Sequence, residues 1–225
     1  MPICVSPLLA GVHADDCQIS VHAVVDYPPS TCRSLARIPV IDRHTKIGSR
    51  TEVMPFALIY RSAWVGADCL IGSHATVREG ATIGDRCVIG QYVCISYDAE
   101  LADEVRVQNG TLIADGWKIG RGTFIGVNVS TMSDRRRDVV AYEFKGSTPS
   151  VIGERCLIGS GAVILPGLRI GDGAVIGAGA LIVRDVPAGA TVLGEPGRLS
   201  MPERLRASYT VHGVDHWTQG ERNRA

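Results

Sequence analysis

The sequence predicts an all-β fold in which short parallel strands wind into a three-sided coil of about seven turns. Three observations predict it. The first is an aliphatic column. Isoleucine stands at 158, 164, 170, 176 and 182, and the same step of six, taken backward from 125 to 47, meets only Ile, Val or Leu. A period of six suits neither a helix, near 3.6, nor a simple strand, at 2. The second is a companion column four residues further on, from Thr51 to Val129, whose members are small or β-branched except Trp117. Cys156, Ala162, Ala174 and Ala180 continue it. The third is the recurrence of Gly just after the aliphatic residue, where a tight corner would exclude a Cβ. A unit with one bulky and one small inward residue cannot bury itself, so it must stack on copies of itself.

Taken in chain order, residues 1–40 lack a clean repeat, and "DYPPST" marks a loop, so partial or irregular coils are expected there. The repeat domain runs over 41–199. Three hexads per coil and strand spacing give a prism on the order of 35 Å long. The interval from Ile125 to Ile152 is no multiple of six, so 131–150, "TMSDRRRDVVAYEFKGSTPS", reads as an insertion leaving one corner. Trp117 precedes that break and is expected to fill the space the departing chain leaves. Residues 200–225 begin with "SMPERLRASY", which predicts a short helix capping the open end of the coil.

Composition narrows the function. Lys plus Arg and Asp plus Glu both number 23, which gives no reason to invoke nucleic acid or a membrane surface as partner. No apolar run reaches the ~18 residues of a membrane span. The N-terminus lacks a basic segment before its short apolar run, so a cytoplasmic protein is expected. The seven cysteines form no Cys-x-x-Cys pair. Cys69 and Cys87 are one coil apart with Cys156 in the same column, and they read as small buried side chains rather than ligands or nucleophiles.

The hexad columns resemble those of the hexapeptide-repeat acyltransferases, whose fold is a left-handed parallel β-helix. The handedness comes from that resemblance, since the usual rule for parallel crossovers favours the opposite hand. "VRDVPAGATVLGEPGRL", 183–199, is similar to the segment that ends the coil in this family. Family members assemble as trimers, and acyl-coenzyme A lies between two prisms. The resemblance therefore implies a homotrimer with acetyl-CoA as co-substrate and no metal. It places backbone contacts at Ser160-Gly161 and Ala178-Gly179, and phosphate contacts at Arg184 and Arg198, whose guanidinium groups match phosphate geometry. These glycines also suffice as plain corners and the arginines as surface charges. The insertion, with Arg135 and Arg136, would reach over a neighbouring subunit's acceptor.

"VRVQNGTLI", 105–113, and "IGDRCVIGQYVCI" resemble the members that acetylate 3-amino nucleotide sugars. That resemblance implies an amino sugar, free or nucleotide-linked, as acceptor, with Gln108 in substrate binding and Asn109 and Asn128 at the chemistry. An amine can attack a thioester unaided, and an amide N–H can orient it or hold the developing oxyanion. The departure is Thr131-Met132-Ser133, where that group carries aromatic-Thr-Asn. Two alternatives within reach are O-acetylation of a saccharide or small alcohol with His74 as base, and a non-catalytic β-helix scaffold. No histidine lies between 75 and 211, so the upper coils and the insertion supply no imidazole. A three-histidine zinc enzyme is disfavoured on the same ground.

Overall fold

The computed structural model describes residues 14, 16–28, 43–133 and 150–194. They form a left-handed parallel β-helix, and no helix occurs among the described residues. Almost every strand is two residues long, one facing out and one buried, as in Leu70–Ile71 and Thr82–Ile83. Each pairs in parallel with the strand one coil later: Val88 with Arg106, Ile89 with Val107.

Three sheets result, and each is named here by an inward residue. The Ile71 face has nine strands, the Val77 face eight and the Ile83 face seven. Seven coils are thus three-sided, with partial coils beyond them. The aliphatic columns fill the interior, and Ile59, Ile71, Ile89, Ile95, Ile113 and Ile125 have no exposed surface. Burying each such side chain is worth about 1.5–3 kcal/mol.

The corners follow from the same frame. The Gly110 corner joins the Ile71 and Val77 faces. The Trp117 corner joins the Val77 and Ile83 faces, and the Cys87 corner closes the coil. At the Cys87 corner the buried column reads Thr51, Cys69, Cys87, Val105, Thr123, Cys156 and Ala174, and its thiols and hydroxyls each donate to a turn carbonyl of the next coil. Thr51 Oγ1 donates to Gly66 O (2.8 Å), Cys69 Sγ to Gly84 O (3.1 Å), Cys87 Sγ to Ala102 O (3.2 Å) and Cys156 Sγ to Gly171 O (3.2 Å). These cysteines are buried, as their column predicts, and burial pushes the Cys156 thiol up.

The regular spacing breaks in three places. Gln18–Ile19 pairs with Glu52–Val53, and Val24–Tyr27 pairs with Leu58–Tyr60 through a bulge. Residues 16–28 therefore stack as a partial coil. Asp26 fastens it, accepting from Thr45 N (2.9 Å) and pairing with His44 Nδ1 (2.7 Å) and Arg61 Nε (3.3 Å). The second break is the insertion: Lys118–Ile119 pairs with Val151–Ile152 rather than with residues one coil on. It leaves after Thr131 at the Trp117 corner. Trp117 is fully buried there, and its Nε1 donates to Met132 O (3.0 Å), so it fills the rung the chain vacates. Leu168, in the same column two rungs above with Ser150 between, is also buried and bulky. The third break shortens the last coil by two residues, bridging Ile170 to Val186 and pairing Val175 with Thr191. The expected C-terminal helix and most of the insertion lie outside the described residues.

The outward rows of the three faces differ. On the Ile83 face the row carries Lys46, Trp64, Thr82, Glu100, Lys118, Val151 and Arg169. On the Val77 face it bears no charge from Leu58 through Thr76, Cys94, Leu112, Ser130 and Val163 to Leu181.

Candidate functional site

Three residues on each coil shape the Gly110 corner, and the frame brings most sequence-predicted site residues to it. His74, Tyr92, Gly110, Asn128, Gly161 and Gly179 form one column of left-handed turn residues, with φ between 54° and 70°. Asn109, Ser160 and Ala178 form the column beside it, and Gln108 precedes Asn109. All but Gln108 are exposed.

Coil stacking already uses much of the backbone here. Gly161 N donates to Val127 O (2.8 Å), Gly179 N to Ser160 O (2.9 Å) and Asn128 N to Asn109 O (3.0 Å). A ligand on this edge would therefore meet the second lone pairs of carbonyls and the side chains, rather than those N–H groups. Asn109 Oδ1 accepts from Gln91 N (2.9 Å). This is the turn brace that Asp85 Oδ1 supplies to Ala67 N (2.8 Å) and Asp172 Oδ1 to Glu154 N (2.9 Å). Asn109 is thus a bracing residue through its oxygen, and only its amide nitrogen is left for chemistry. Ser160 Oγ braces Val127 N in the same way (3.1 Å).

His74 sits between two rings. Phe56 lies 5.0 Å from it and Tyr92 4.8 Å, with interplanar angles of 18° and 3°. His22 continues the stack below Phe56 at 5.3 Å. Both faces of the His74 imidazole are covered, and it stands three rungs below Asn128. That arrangement gives His74 a packing role and separates it from Asn128 by about 14 Å and from Asn109, two rungs up, by about 10 Å.

Arg184 is the residue the structure separates from its expected companions. It is exposed and follows Ile182 on the Trp117 corner, whereas Ser160-Gly161 and Ala178-Gly179 lie on the Gly110 corner. Within one chain they do not share a site. Arg135, Arg136 and Arg198 lie outside the described residues.

The Trp117 corner carries a polar cluster that the motifs did not signal. The Arg78 guanidinium lies 4.5 Å from the Tyr60 ring centroid and 4.1 Å from that of Tyr97. Its Nε donates to Glu79 Oε2 (2.8 Å), and a terminal nitrogen donates to Tyr97 Oη. Glu79 is 2% exposed, so the pair is a buried one. The frame held the signal, since 60 and 78, like 79 and 97, stand one coil apart. Among the described residues no group of three or more His, Cys, Asp or Glu could hold a metal ion, and no helix is long and apolar enough to cross a membrane. Two shallow concavities lie on the Ile83 face, one of them lined by residues such as Glu100, Lys118, Glu154 and Asp172.

Comparison with known proteins agrees with this architecture. Residues 149–184 match the bacterial transferase hexapeptide family (six repeats), and 63–91 match the hexapeptide repeat of succinyl-transferase. The chain is 32% identical over 117 residues to a serine acetyltransferase of Helicobacter pylori (strain ATCC 700392 / 26695), covering 46% of this chain and 68% of that protein. It is 42% identical over 53 residues to a 2,3,4,5-tetrahydropyridine-2,6-dicarboxylate N-acetyltransferase of Staphylococcus aureus (strain JH9), covering 24% of this chain and 22% of the other. Among solved structures, the UDP-N-acetylglucosamine acyltransferase from Campylobacter jejuni shares the fold with a TM-score of 0.50 at 14% identity, over 81% of this chain and 71% of that one. With hexads on three continuous faces and these relatives, the chain belongs to the hexapeptide-repeat acyltransferases.

Proposed function

We propose that the protein transfers an acetyl group from acetyl-CoA to the amine of a sugar or nucleotide-linked sugar, at the Gly110 corner of a homotrimer. The observation that carries this reading is the change of side chains along one edge. Carboxamides occupy its middle, at Gln91, Gln108, Asn109 and Asn128, and side chains shrink to Ser160-Gly161 and Ala178-Gly179 above them. The small upper residues leave room for an extended pantetheine arm. The carboxamides below offer neutral hydrogen-bonding groups to an acceptor.

The uncharged outward row of the Val77 face supports self-association, because its exposed Leu112 and Leu181 are stabilised by burial against a partner and no charge opposes it. A neighbouring prism would also supply the wall that one chain lacks. It could bring a second copy's Arg184 toward the diphosphate, which reconciles that arginine with its place on another corner.

In the reaction, the neutral amine adds to the thioester carbonyl, the C–S bond breaks as the C–N bond forms, and the amine proton leaves with the thiol. The Asn128 carboxamide and the amide nitrogen of Asn109 are placed to orient the amine or hold the carbonyl oxygen. The alternative, O-acetylation with His74 as base, draws on the likeness to a serine acetyltransferase. The covered faces of His74 and its distance from the asparagines weigh against it.

The test is release of CoA thiol from acetyl-CoA in the presence of 3-amino hexoses, free and as UDP or dTDP conjugates, with the mass measured by light scattering. Acceptor-dependent release by a trimer is expected, with kcat/KM rising with pH until the acceptor's own pKa is passed. Release only with hydroxyl acceptors, or a monomer at micromolar concentration, would overturn it.

A further inference from the structure

The aromatic column on the Gly110 corner stops at Tyr92. His22, Phe56, His74 and Tyr92 stack ring on ring, and the next rung is Gly110, which has no side chain. The lower face of the Tyr92 ring rests on His74. No ring covers its upper face among the described residues, and the residue is 64% exposed. From the rung above, Asn128 Oδ1 reaches down to where a Cβ on Gly110 would stand, so the open part of the rung lies outside that amide oxygen. Gln91 and Gln108 flank the same rung. The side chains of Gln91, Gln108 and Asn128 make no hydrogen bond within the described residues.

An aromatic face rimmed by carboxamides is a particular chemistry. The electron-rich face of a phenol ring attracts polarised C–H bonds. Carboxamides offer a donor and an acceptor side by side, which suits neighbouring hydroxyl groups, and they carry no charge that would favour an anion. The vacant rung is about 4.8 Å high, close to the thickness of a six-membered ring in its chair form. Ser160-Gly161 stands two rungs above it, about 10 Å along the edge. A substituent on the upper rim of such a ring would point toward the acyl donor.

We infer that the vacant Gly110 rung is the seat of a neutral hexopyranose, stacked by its C–H face on Tyr92 and held at its hydroxyls by Gln91, Gln108 and Asn128. This rests on the acceptor reading above and makes Tyr92 a specificity-determining contact rather than a group in the chemistry.

The test measures binding of methyl hexopyranosides, with and without a 3-amino group, to the full chain by saturation-transfer NMR in the absence of acetyl-CoA. Wild-type protein is expected to bind. Tyr92→Ala and Tyr92→Leu should weaken binding at least tenfold, while Tyr92→Phe and Tyr92→Trp stay within threefold. The leucine variant keeps the apolar bulk and guards against a folding defect in the alanine one. No binding by wild type, or equal binding by folded Tyr92→Leu, would overturn the inference. Binding that depends on the Tyr92 ring, without acetyl transfer to any amino sugar, would sink the proposed reaction and leave the seat standing. Acetyl transfer with an unchanged acceptor KM in Tyr92→Leu would do the reverse.

Discussion

Two corners of the same prism solve opposite problems. On the Trp117 corner the chain departs, and bulky or paired side chains close the gap: Trp117 under Met132, Leu168 above it, Arg78 between Tyr60 and Tyr97 over a buried Glu79. On the upper Gly110 corner the coil is regular, and the side chains are trimmed to Ser160, Gly161, Ala178 and Gly179. The first corner uses its side chains for stability and the second withdraws them. The difference teaches where to look for function in a repeat fold: at the edge that the frame does not need filled.

The largest effect expected is at the braced corner. Trp117→Ala removes the largest fully buried side chain among the described residues and the hydrogen bond to Met132 O. A cavity of that kind should cost about 3–5 kcal/mol. Chemical denaturation reads it, and the coils beside the insertion should lose amide protection first, because a repeat is supported only by its neighbours. A loss below 1 kcal/mol would mean the corner is not braced by the indole.

Arg78→Ala comes next. It leaves the Glu79 carboxylate buried without its counter-ion, which costs about 3 kcal/mol, the low end for a broken buried pair. The low end applies because the Arg78 side chain keeps 24% of its surface in solvent. Adding Glu79→Gln should restore part of the loss, since a neutral amide needs no counter-ion. Simple additivity of the two changes would deny the coupling.

The fold was legible because every inward position from 47 to 125 obeys one step. At 17–28 partial or irregular coils were expected and one is found, but its register was not legible, because Ile19 lies 34 residues from its partner Val53 and a step of six never connects them. The cysteine column was readable as burial, but not as a set of thiol donors to turn carbonyls. The placement of the candidate residues was legible wherever a step of one coil could be applied, as from His74 through Tyr92 and Gly110 to Asn128. It was not legible for Arg184. Five residues after Gly179 looks close in sequence, yet a face of the prism lies between them. Nor was it for Asn109, since whether an amide oxygen faces a ligand or the turn below depends on geometry that the residue type does not carry.

The smallest expected effect on stability sharpens the comparison most. Ala178 is exposed on the trimmed corner, so Ala178→Leu should change folding stability by no more than about 0.5 kcal/mol, as surface substitutions do. The same substitution adds three heavy carbons where the acyl donor's arm is proposed to lie. Affinity for acetyl-CoA should then fall at least tenfold, while binding of a hexopyranoside at the Gly110 rung, three rungs lower on the same corner, stays unchanged. An adverse change of stability without loss of affinity would mean that the corner is trimmed for packing between prisms. Loss of affinity at constant stability is the signature of an edge kept bare for a ligand. Calorimetric titration with CoA alongside a denaturation curve separates the two.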